Sequence, residues 1–220
     1  MRTEDLIGRL AEDLRPVRPL GPPLRRCAAW LAFAAVLLGA AILAFGPRHD
    51  LMERLSRTHE GAQLLFAVAT GVLAAVAAFE LALPDRSPRW ALLPVPAAVA
   101  WVATLGFGCL DDVARIGPQA LVLGTSWGCF RFVVLMGVPL AVSLVWMLRH
   151  AGPLRPVPVA MLGGLAGAAL SAAGLSVFHH LDAAAMVLAW HGGSALLVVL
   201  GFGLFGRGWR TREAEPFTPA

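Results

Sequence analysis

Six long apolar runs dominate the chain, at 28–46, 62–83, 90–108, 130–148, 157–178 and 184–206, and none carries Asp, Glu or Arg in its middle. Each is about 20 residues, the length that a helix rising 1.5 Å per residue needs to cross roughly 30 Å of hydrocarbon. The pattern therefore predicts six transmembrane helices. The connections between them are 15, 6, 21, 8 and 5 residues long, too short for any of them to bury a core of its own. The expected fold is all-α: an integral membrane six-helix bundle over 28–206, an arm over 1–27 and a tail over 207–220.

The arm has a different periodicity. From Thr3 to Leu14 the residues Leu6, Ile7, Leu10 and Leu14 fall on one helical face, with Arg9, Glu12 and Asp13 off it and Glu4 and Asp5 in the first turn. Thr3 is the expected N-cap. A helix this short is marginal alone in water, so its apolar stripe calls for a surface: the bilayer, the chain's own bundle, or a groove on a soluble partner. Pro16-Val17-Arg18-Pro19-Leu20-Gly21-Pro22-Pro23 cannot continue the helix and favours an extended spacer of roughly 25 Å. A stiff spacer suits holding a helix away from its own membrane, and so favours the partner.

Composition removes the soluble classes. The chain is 58% apolar and 15% charged, against about 25% charged in soluble domains. Its net charge of +4 comes entirely from arginine, as there is no lysine. With the N-terminus inside, the inner segments hold 13 arginines and the outer ones 5, which agrees with the positive-inside rule and puts both termini in the cytoplasm. The first outer loop, with Arg48, Arg54 and Arg57, is the weakest part of that assignment. The acidic, proline-bearing arm is unlike a secretory signal. Arginines distributed in this way argue against a direct nucleic-acid partner.

Few side chains within the spans carry chemistry. Gly163, Gly164, Gly167, Ala168 and Ala172 form a small-residue stripe suited to close helix packing. Glu80 lies near the inner end of the second span, as a snorkelling or capping group. Leu14-Arg15-Pro16-Val17 and Leu154-Arg155-Pro156-Val157 repeat as a way of starting a helix at the inner face. No row of internal carboxylates, phosphate loop or nucleophile elbow is present, so ordinary pumping and catalysis lose ground and no enzyme is expected.

Two outward-facing groups remain. Cys109 closes the third span and Cys129 opens the fourth, in an oxidising compartment under this topology. They fit a structural disulfide, a reactive pair open to oxidants or soft metals, or two buried thiols. Cys27 lies across the membrane and is read as inert. The second group is His179, His180 and Asp182, with His191 about 13 Å further along the sixth helix. These four residues suit a metal or pH site, although helix rise separates His191 from the rest and favours a hydrogen-bonded histidine. No cofactor is expected beyond a possible metal ion.

Taken together, the Leu6, Leu10 and Leu14 helix, Pro16-Val17-Arg18-Pro19-Leu20, six spans, a cysteine at each end of the third loop, and Phe178-His179-His180-Leu181-Asp182 with Trp190-His191 resemble the NrsF-like family, negative regulators of the sigma-F type. The resemblance covers essentially the whole chain. It implies an anti-sigma factor of the bacterial inner membrane whose cytoplasmic N-terminal segment holds an extracytoplasmic-function sigma factor. Carried over by position, it implies sigma contacts at Leu6, Leu10, Leu14, Pro16 and Pro19, and sensing at Cys109 and Cys129. Two other classes stay open: a metal or proton transporter using the histidine group, and a membrane thiol-redox enzyme, which lacks a second cysteine pair.

Overall fold

The computed structural model describes residues 2–12, 20–56, 58–122, 127–151, 154–178 and 184–213. Every regular element among them is helical: α1 (Thr3–Glu12), α2 (Pro23–Phe45), α3 (Leu51–Ser56), α4 (Thr58–Leu81), α5 (Val95–Ile116), α6 (Trp127–Leu148), α7 (Pro156–Phe178), α8 (Ala184–Val187) and α9 (Gly193–Glu213), with short 3₁₀ turns and one π-helical turn between them. Six helical stretches of 22 to 29 residues are long and apolar enough to cross a membrane. This is the all-α six-helix bundle that the apolar runs predict.

Several boundaries differ from the runs. α2 starts at Pro23 rather than residue 28, because proline fits a first turn whose N–H would have no helical acceptor, so Arg25 and Arg26 lie inside the helix. α5 continues past 108 to Ile116 and stops at Gly117, whose φ of +79° strongly favours glycine over residues with a side chain. In α1, Thr3 is the first helical residue and not the cap. The backbone N–H of Arg2 instead donates to Asp5 Oδ2 at 3.3 Å, half of a capping box.

The centre of the bundle is α7, packed against α9, α6, α4 and α2. Its small residues let backbones approach, which matters in lipid, where packing rather than water exclusion drives helix association. A Cβ on Gly167 would strike the Gly137 carbonyl oxygen and lie 3.0 Å from Ala141 N, and one on Gly164 would meet Phe202 Cβ at 3.2 Å. α5 packs on α4, and α6 on α7, so consecutive spans are not all neighbours.

The start of α2 meets the end of α6 at the arm end of the bundle, opposite the far end. Trp30, 1% exposed, donates from Nε1 to Ser143 Oγ at 3.0 Å and to the Leu140 carbonyl at 3.2 Å. Removing that donor with Trp30→Phe is expected to lower stability by about 1 kcal/mol, given the modest value of such bonds between membrane helices. Thermal unfolding in detergent checks this; an unchanged midpoint would show that the bonds contribute nothing.

Candidate functional site

Among the described residues, the arm stands outside the packed bundle. Residues 2–5, 7, 8, 11 and 12 of the arm are exposed, Ile7 by 60%, and α1 is not among the helices that pack extensively on one another. Of the stripe, Ile7 is the residue whose exposure is described, and it faces away from the bundle. Leu6 and Leu10 lie on α1, one turn apart. Leu14, Pro16 and Pro19 lie outside the described residues.

The root of the arm is tied down by a polar collar at the arm end. Arg26 donates through Nη2 to the Met147 carbonyl, and its guanidinium carbon stands 5.6 Å from the centre of the Phe79 ring. Glu80, next along α4, is 5% exposed and forms an ion pair with Arg86 Nε at 3.0 Å. Glu80 is thus a buried, paired group and not one that snorkels to the interface. Arg155 Nη1 donates to the Arg86 carbonyl at 3.1 Å, which connects the start of α7 to the same loop. The loop continues into a 3₁₀ turn over Pro88–Leu92, capped by Ser87 and packed on α4 and α7, and that turn leads into α5.

At the far end Cys109 and Cys129 are unlike each other. Cys129, the third residue of α6, is fully buried in an apolar cluster with Trp101, Leu105, Phe132 and Ala172. Cys109 is half-buried and lies seven residues before Ile116, about 10 Å short of the helix end. The charges of Asp111 and Asp112 end the apolar run just after Cys109, and the helix goes on to Ile116. No disulfide joins Cys109 to Cys129. α5 lies along α4, and α6 lies along α7. Leu105, one turn before Cys109, belongs to the Cys129 cluster.

An aromatic group caps this end. Phe45 stacks on Phe178 with centroids 5.0 Å apart, and Phe132 meets Phe178 edge-on at 4.9 Å. Arg48, 7% exposed, forms a two-point pair with Asp50 at 2.6 and 2.8 Å, and its backbone N–H donates to the Val177 carbonyl. Pattern reading missed this pair, because residues two apart give no signal of burial.

Of the histidine group, His179, His180 and Asp182 lie outside the described residues. His191 is 4% exposed, within a π-helical turn over Leu188–Gly192. Among the described residues, no three metal-ligating side chains converge.

The fold and its two ends define an all-helical, multi-pass membrane protein with a helical arm outside the bundle. The chain matches the family described as "Negative regulator of sigma F" over residues 10–209, and it belongs to that family. It is also 30% identical over 181 residues, 77% of each chain, to the protein named Anti-sigma-F factor NrsF of Caulobacter vibrioides (strain NA1000 / CB15N). No solved structure matches it.

Proposed function

We propose that the chain is an anti-sigma factor of the bacterial inner membrane, with both termini in the cytoplasm. Its arm masks an extracytoplasmic-function sigma factor, and Cys109 and Cys129 face outward as the sensing pair. The family match over residues 10–209 carries this reading. It is supported by an amphipathic helix whose described residues are exposed and not packed into the bundle.

In this mechanism the resting state holds both thiols reduced. An outside oxidant takes two electrons and two protons from the pair and a disulfide forms, which draws the outer end of α5 toward α6. α5 begins directly after the 3₁₀ turn at Pro88–Leu92, so its shift is transmitted to the collar of Glu80, Arg86 and Arg155 beside the root of the arm. The collar has two arrangements, and the second withdraws the apolar face from the sigma factor. A soft metal ion bridging the two thiolates would exert the same pull.

A reporter driven by the sigma factor tests both halves. Wild type is expected to repress in unstressed cells and to release on oxidant or metal, whereas Cys109→Ser with Cys129→Ser represses under every condition. If wild type fails to repress, the anti-sigma reading is lost. If the double variant responds like wild type, only the thiol half is lost.

A further inference from the structure

On the side of the bundle where α6 and α9 face the membrane, an apolar groove of about 720 Å³ runs between them. One wall includes Val142 and Trp146, the other Gly201, Phe202 and Phe205, and among the described residues that line it Arg149 is the charged one. The lining residues extend from Val138 to Arg149 on one helix and from Leu197 to Gly208 on the other. Eleven residues of rise is about 17 Å, close to half of a roughly 30 Å hydrocarbon core. The groove therefore has the depth of one membrane leaflet.

Its contents follow from two contrasts. The first is between glycines of α9: Cβ atoms on Gly203 and Gly206 would meet Met161 Cγ at 3.2 Å and Val157 Cα at 2.8 Å, because those positions face α7. A Cβ on Gly201 meets no heavy atom within 4 Å, so the protein leaves this position in the groove unfilled. The second contrast concerns charge. Arg149 follows the last residue of α6 at the arm end, its guanidinium carbon 3.3 Å from the centre of the Trp146 ring. No carboxylate pairs with it among the described residues. The result is a fixed cation with no acidic partner at headgroup level, above an apolar slot one leaflet deep.

We propose that the groove binds a phospholipid with an anionic headgroup from the arm-side leaflet, its phosphate at Arg149 and one acyl chain along Gly201. A protein helix in the same slot would need a carboxylate at the level of Arg149, whereas an anionic lipid brings its charge at that depth by construction. The proposal is independent of the sigma-factor reading, and repression is not its readout.

The test is lipid retention by the full-length chain, extracted from bilayers of equal phosphatidylglycerol and phosphatidylcholine and measured by native mass spectrometry. Wild type is expected to retain phosphatidylglycerol about fivefold over phosphatidylcholine, the weight of one basic side chain at an anionic surface. Arg149→Gln removes that preference, and Gly201→Leu reduces retention of both lipids while keeping the wild-type unfolding midpoint. Equal retention of the two lipids by wild type would overturn the proposal, as would a preference that survives Arg149→Gln. A dimer that Gly201→Leu converts to monomer would also overturn it, by putting a second copy in the groove.

Discussion

Changing Leu10 and Leu14 together to aspartate is expected to raise sigma-dependent transcription in unstressed cells to the level of a strain lacking the chain. Both residues belong to the apolar stripe that the sequence predicts for the arm, and burying a leucine at an interface is worth roughly 2 kcal/mol. Losing two removes about 4 kcal/mol, or close to a thousandfold in affinity, before the cost of desolvating two carboxylates is added. Glu12→Gln, on the opposite face of the same helix, is expected to leave repression intact. Reporter activity in unstressed cells distinguishes the two, and continued repression by the double aspartate variant would mean that the stripe is not the binding face.

Gly167→Leu is expected to have the largest structural effect of any single change considered. A Cβ at this position runs into the Gly137 carbonyl oxygen and crowds Ala141, both on α6. The obstacle is backbone and not a flexible side chain, so the two helices must separate. Overpacking of this kind costs more than about 3 kcal/mol, and in lipid no hydrophobic force holds the separated helices together. The variant should accumulate poorly and unfold at a much lower temperature in detergent. Gly201→Leu, the same change where a Cβ meets open space, should behave like wild type. Equal midpoints for the two variants would contradict the placement of α7 at the centre.

The six spans were legible in the sequence because a bilayer imposes a minimum apolar length, and a run of that length has few other readings. Their ends were less so. Asp111 and Asp112 end the apolar run near Cys109, whereas the helix goes on to a glycine stop at Gly117. Pro23 starts a helix five residues before the apolar run begins. In both places capping chemistry, and not hydropathy, sets where the helix ends. The relation between the thiols could not be read at all, because order along the chain does not decide which helices pack together. That choice is made by the small-residue face of α7, which gathers α6, α9 and α4 around itself and leaves α5 on α4. The stripe at Gly163, Gly164 and Gly167 was visible as a packing surface, but nothing in it names its partners. The helix over Thr3–Glu12 was legible because a period of 3.6 is a local property, whereas Leu14 and the prolines at 16 and 19 lie outside the described residues. The burial of Arg48 and Glu80 was not, since both depend on where neighbouring elements place Asp50 and Arg86.

The central claim is that the arm holds a sigma factor, and capture tests it most directly. The membrane-embedded chain, intact and with residues 1–20 removed, is used to retain cytoplasmic proteins, which are identified by mass spectrometry. The account predicts that a sigma factor is retained by the intact chain and lost from the truncated one. Equal retention by both forms, or none by either, would contradict it.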